Sequence, residues 1–351
     1  MASGEASHLS LVSIEEGIVV DRPGPVPRFK DSFALSPDSN ILYVVAFEES
    51  TGRQLFALDI ATREILWRER LSNAIDQRRD RFGGMAVYGE FGIAVSPDGS
   101  RLFLATGERG GQFGIAVLDA RTRDGIGFVG PFAANQEGLV TLPLGETSDG
   151  ALLVAGRRVR GSGDPGDSLF FVNPVSLAVT DSVAPLQLAG RPSTELWQIH
   201  PSADGRNLYV LEALRLHRYD LQTRAVLGST AHTGGPRGRI AVSRQSGEVF
   251  LTDPGDGFDF PGSGRVHVFS SSLVPAPPID LRQALGGPIP TSNRAAVSTD
   301  GRALYVSSGT ASIGPLFPTQ PGRLFVIDLP SRTLTASVHL GGGAARQLFV
   351  F

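Results

Sequence analysis

The sequence predicts an all-β fold, a seven-bladed β-propeller of four-stranded antiparallel blades, and three observations carry that expectation. A short aliphatic–aromatic strand recurs six times behind a tight turn rich in Asp and Gly. An Asp-x-x-Thr-like mark closes the following strand at intervals of about fifty residues, the length of one blade. Helical periodicity is nearly absent; Ala74 to Arg81 offers at most one short helical turn.

The recurring strand reads Ile41-Leu42-Tyr43-Val44, Arg101-Leu102-Phe103-Leu104, Leu152-Leu153-Val154, Asn207-Leu208-Tyr209-Val210, Glu248-Val249-Phe250-Leu251 and Ala303-Leu304-Tyr305-Val306. Short apolar runs bounded by Gly, Pro, Asp and Ser are strand signals. The turns before them include Ser96-Pro97-Asp98-Gly99, Ala203-Asp204-Gly205 and Thr299-Asp300-Gly301. Asp followed by Gly supplies the positive φ of a hairpin, so the strands on either side are antiparallel neighbours. The third strand of each unit ends at Asp59, Asp119, Asn173, Asp220, Ser270 or Asp328, with Ser13 as a weaker first copy. Such short side chains accept a hydrogen bond from a backbone N–H two or three residues on and turn the chain into a fourth strand.

The ends continue the pattern. His8 to Val12 reads as a third strand, Ile18 to Asp21 as a fourth, and Ala345 to Phe351 as a first. Together they form a composite seventh blade, from about 8–21 and 344–351, that closes the ring and hides sheet edges. The alternative is six blades plus extra strands. Residues 1–351 then make one propeller domain.

Composition excludes several functions. The net charge of −3 and pI near 6.1 do not suit a surface that sits on a polyanion, so nucleic acid is not an expected partner. The clusters Arg78-Arg79-Asp80-Arg81 and Arg157-Arg158-Val159-Arg160 read as solvated loop charges. No apolar run is long enough for a transmembrane helix, and the N-terminus lacks the pattern of a signal peptide. With no cysteines, thiolate metal sites, disulfides and cysteine nucleophiles are excluded.

At the columns Val95-Ser96-Pro97-Asp98-Gly99…Leu102-Phe103-Leu104 and Ala296-Val297-Ser298-Thr299-Asp300-Gly301…Leu304-Tyr305-Val306…Val326-Ile327-Asp328, the chain resembles bacterial YVTN-repeat propellers of the lactonase-like and cytochrome d1-like group. The resemblance covers nearly the whole chain, although the literal Tyr-Val-Thr-Asn string is absent. It implies a WD40-like repeat scaffold, exported to the periplasm or beyond. Members of the group include binding modules, lactone hydrolases and subunits of amine-oxidising enzymes. Ala57-Leu58-Asp59-Ile60-Ala61-Thr62…Trp67 also resembles one quinone-type repeat, but most blades lack the Trp of that family.

Function is expected on one end of the blades. First-to-second and third-to-fourth connections are uniformly short, whereas the others are long and varied, such as Leu71 to Glu90 and Thr252 to Gly264. Insertions confined to one face of a repeat scaffold mark a binding face. Phe82, Tyr88, Phe258, Phe260 and Phe317 on those segments favour recognition of a protein, peptide or glycan. Arg239, Arg294 and Arg346 directly precede the first strands of blades five, six and seven, where blades one, two and four carry Ser32, Gly92 and Leu196. Three guanidiniums on one rim suit a carboxylate or phosphate ligand.

Asp253, Asp256 and Asp259 in a Gly-rich loop are the candidate calcium ligands, with a spacing that matches no standard calcium loop. His232 is the one histidine placed to meet a ligand. His217 and His267 fall in a third-strand column held elsewhere by Phe56, Phe170 and Phe325, and read as core; His200 reads as a turn residue. A lone His without an acid partner and a nucleophile makes no triad. The leading expectation is a non-enzymatic binding scaffold. The alternative is a lactonase-like hydrolase, or a cofactor-dependent oxidoreductase subunit, acting on an anionic small molecule at the channel mouth.

Overall fold

The computed structural model describes residues 11–13, 18–21, 29–48, 52–70, 93–106, 114–129, 139–146, 151–158, 168–183, 187–188, 191–192, 196–212, 215–232, 238–253, 264–284, 292–310 and 320–340. Among them the chain forms six four-stranded antiparallel sheets, two two-stranded ribbons and one 3₁₀ turn, Leu281–Ala284. The sheets are propeller blades, each a meander whose strand order follows the sequence.

Blade one comprises Phe29–Leu35, Ile41–Glu48, Gly52–Asp59 and Ile65–Arg70; blade two comprises Ile93–Val95, Arg101–Thr106, Gly114–Asp119 and Gly125–Val129. Blade three comprises Leu139–Glu146, Leu152–Arg158, Ser168–Val172 and Val179–Val183. Blade four follows with Leu196–Pro201, Asn207–Glu212, Arg215–Asp220 and Ala225–Ala231, and blade five with Ile240–Val242, Val249–Thr252, Arg265–Phe269 and Pro275–Asp280. Blade six is Ser292–Val297, Ala303–Thr310, Gln320–Asp328 and Thr333–His339.

Two compact units divide these blades. One holds blades one to three; the other holds blades four to six and the hairpin Leu11–Ser13 with Ile18–Asp21. That hairpin lies beside the fourth strand of blade six. Its inner counterpart, 344–351, lies outside the described residues, as does 74–81. The segment between blades three and four, read from sequence as a loop, contains a small ribbon, Gln187–Leu188 with Arg191–Pro192.

Side-chain alternation gives each strand two faces, and within each unit successive blades stack through them. Tyr43 and Leu55 of blade one meet Leu102 and Leu118 of blade two. Tyr209, Leu211 and Leu216 of blade four meet Leu251 and Phe269 of blade five. The opposite face of blade five, with Phe250 and Val268, meets Leu304 and Phe325 of blade six. Removal of this apolar surface from water holds neighbouring sheets together.

The first-to-second turns are built on a serine. Ser96 Oγ donates to Asp98 at 2.5 Å and accepts from Arg101 N at 2.9 Å. The same pair of bonds recurs at Ser36, Ser202 and Ser298. At the third-to-fourth turns the expected cap is present: Thr62 N donates to Asp59 at 2.7 Å, and Thr122 N to Asp119 at 2.7 Å. Ser176 N and Ser331 N repeat the bond to Asn173 and Asp328.

Each of these turns ends on a residue other than glycine in the left-handed region: Arg63, Arg123, Leu177, Arg224, Leu273 and Arg332, with φ between 55° and 71°. Three of them reach back to the preceding blade. Leu273 joins the apolar cluster of blade four. Leu177 occupies the space beside Gly127, where an added Cβ would stand 2.5 Å from Leu177 Cδ1. Arg332 donates to Glu248 at 2.7 Å and to the Pro277 carbonyl at 3.3 Å. Arg123 is exposed: its side-chain Nε donates to the neighbouring Thr122 carbonyl, and its backbone N–H closes the turn on the Asp119 carbonyl. An L-residue in this region costs about 1–2 kcal/mol, and glycine returns part of that gain as unfolded-chain entropy. Arg123→Gly is therefore expected to raise unfolding free energy by about 1 kcal/mol in urea titrations, whereas Leu273→Gly is expected to lower it by removing a buried side chain.

Candidate functional site

The loop end of the blades is where the second strand passes to the third and the fourth to the next first. Pairing registers locate the rim residues there. Ala295 stands opposite Val306 in blade six and Ile240 opposite Leu251 in blade five, so Arg294 and Arg239 occupy one column. Arg294 lies inside its strand rather than before it, because that strand begins at Ser292 across a bulge. In blade four the column holds Gln198, opposite Leu211, and not Leu196. A bulge between Leu196 and Gln198 inserts the residue that displaces a count made from sequence.

The column has a structural partner system. Gln198 Oε1 accepts the Ile240 N–H of the next blade at 2.6 Å. Arg239 N donates to the buried Thr252 hydroxyl at 2.9 Å, and Thr252 N donates back to the Arg239 carbonyl at 3.0 Å. Gly238 is required beside this exchange, since a Cβ there would meet the Thr252 carbonyl at 2.6 Å. Alternation puts the Arg239 side chain on the face of blade five that packs on blade six, and Arg294 on the far face of blade six. Arg346 lies outside the described residues.

Of the three aspartates, Asp256 and Asp259 also lie outside the described residues. Asp253 is 4% exposed, immediately after the second strand of blade five, with Oδ2 3.9 Å from His267 Nε2. No group of three or more metal-ligating side chains is found among the described residues. His232 is 7% exposed. The fourth strand of blade four runs on to Ala231 and holds the imidazole at the base of the loop. His200 lies in a first strand opposite Tyr209, not in a turn, and burial lowers its basicity.

His217 holds the arrangement that sequence reasoning missed. It is buried as expected (0% exposed), but both ring nitrogens are engaged. Nε2 lies 3.1 Å from a carboxylate oxygen of Glu212, itself 3% exposed, and Nδ1 lies 2.7 Å from the hydroxyl of Ser229. Val210 faces His217, and Glu212 lies two residues further along the same strand. In blade five Leu251 faces His267, and Asp253 lies two residues further along. An acid–imidazole pair thus repeats in consecutive blades. The signal available in the sequence was the pairing of a His column with an acid two positions past its cross-strand partner.

No family model and no curated protein sequence matches this chain. Among solved structures it resembles the dihydro-heme d1 dehydrogenase NirN in complex with DHE, with a TM-score of 0.57 and 15% identity over 97% of this chain and 72% of that one. The likeness shows the propeller fold. Because 1127 solved chains match, the fold alone does not select a function.

Proposed function

We propose that this protein is a binding propeller that recognises a protein, peptide or glycan through the loop end of its blades. The observation that carries the reading is the contrast between the two ends. At one end the turns are short and their Ser, Asp and Thr side chains are bonded within the turn. At the other, connections range from 213–214 to 71–92, and Arg239 and Arg294 share a column beside them. The compartment proposed is periplasmic or extracellular, on the resemblance of the repeat columns to exported propellers.

The test is capture on peptide and glycan arrays. Arg294→Ala is expected to abolish or sharply weaken binding of an acidic array ligand, while Thr62→Ala at the tight-turn end leaves it intact. The reverse pattern would reject the assignment of faces.

A second reading, a lactonase-like hydrolase or a cofactor-dependent oxidoreductase subunit acting on an anionic molecule, draws support from the arginines that share one column of blades five and six and from the likeness to a haem-handling propeller. Native and denatured intact masses separate the two. Equal masses are expected of the binding scaffold; excess mass lost on denaturation supports a cofactor.

A further inference from the structure

We propose that Ser229 is an activated nucleophile, with His217 as its general base and Glu212 as the positioning carboxylate, and that it takes activated acyl esters. The three side chains form one continuous hydrogen-bonded chain from a buried acid to an exposed hydroxyl. Their polarity follows from donor chemistry. An ionised carboxylate only accepts, so His217 Nε2 carries the proton toward Glu212, and Nδ1 is left to accept the Ser229 O–H. A serine whose proton is drawn toward an oriented imidazole is the usual form of an activated hydroxyl nucleophile. Ser229 also stands on the outermost strand of blade four, where alternate backbone N–H groups have no strand partner and can stabilise a developing oxyanion.

The neighbouring blades provide internal comparison. Ser182 of blade three and Ser337 of blade six hold the same cross-strand position and are exposed, but Phe170 and Phe325 face them. Blade five keeps the acid–imidazole pair, Asp253 with His267, but has prolines in the matching stretch of its fourth strand, Pro275–Asp280. Among the described residues, only blade four combines acid, imidazole and hydroxyl in these columns.

In the proposed step Ser229 Oγ attacks the ester carbonyl carbon, and its proton passes to His217 Nδ1. The C–O bond to the leaving group then breaks, the imidazolium returns the proton to the departing alcohol, and an acyl-serine remains. A fluorophosphonate probe follows the same course: the O–P bond forms, the P–F bond breaks and fluoride leaves.

The experiment treats the folded full chain with an alkyl fluorophosphonate and with p-nitrophenyl acetate, then maps labelled serines by peptide mass spectrometry. Ser229 is expected to label about a hundred-fold faster than Ser182 or Ser337, the usual range of general-base assistance. Ser229→Ala removes the label. Glu212→Gln slows labelling at Ser229 while the melting temperature and labelling at Ser337 stay unchanged, and Glu212→Asp restores part of the rate. Labelling of wild-type Ser229 no faster than Ser182 and Ser337 overturns the proposal and leaves a structural network. So does a rate indifferent to Glu212→Gln in protein that melts normally.

Discussion

Truncation of Leu208 or Leu304 to alanine is expected to remove about 2–5 kcal/mol of unfolding free energy, the cost of a buried leucine plus the cavity it leaves. Both side chains are fully buried. Leu304 lies between Val297 and Ile327 in its own sheet and packs in the cluster that joins blades five and six. Leu208 lies between Pro201 and Tyr219 in blade four. Leu227→Ala is the matched control, because that side chain is 52% exposed on an outer strand and surface truncations change stability by no more than about 0.5 kcal/mol. Equilibrium unfolding in urea measures all three. Losses well below 1 kcal/mol at both core positions would mean that the strand columns are misassigned.

Acid is expected to destabilise the fold steeply between about pH 4 and pH 2, through many turns together. The Ser96 hydroxyl and the backbone and side chain of Ser100 hold Asp98 down to about 2. Hydrogen bonds from the matching turn residues lower Asp38, Asp204 and Asp300, and the Thr or Ser caps lower Asp59, Asp119, Asp220 and Asp328. Asp280, bonded by the Arg282 guanidinium, also falls to about 2. The sign follows from proton uptake. Each carboxyl has a lower pKa folded than unfolded, so its contribution is complete above the unfolded value and disappears as pH falls through the folded one. Melting temperature measured across this range is expected to drop as pH falls, and Asp98→Asn is expected to flatten the drop. A pH-independent melting temperature from 5 to 2 (about three decades of proton activity) would contradict the hydrogen-bonded turns.

The repeat was legible because each blade restates the same local rules. Leu102, Leu208 and Leu304 announce strands by composition, and Asp98-Gly99 and Asp300-Gly301 announce the hairpins before them. The serine that anchors those hairpins was less visible. In blades four and six, Ser202 and Ser298 stand one residue ahead of the positions that stood out, and they matter because one hydroxyl both donates and accepts. The site was harder still. Gln198 entered the rim column only once a bulge had shifted the count, and the link from Glu212 to His217 is a diagonal across two paired strands. Register decides such relations, and register is a tertiary property that no short stretch of sequence states.

The left-handed turn residues bear on how such a chain grows. Leu177, Leu273 and Arg332 each belong to one blade and grip the one before it. The joint is therefore encoded inside the segment that needs it. A gene duplication that copies about fifty residues copies the coupling as well, so a newborn blade arrives able to dock. What drifts freely afterwards is the other end, where loop length changes without touching the joint.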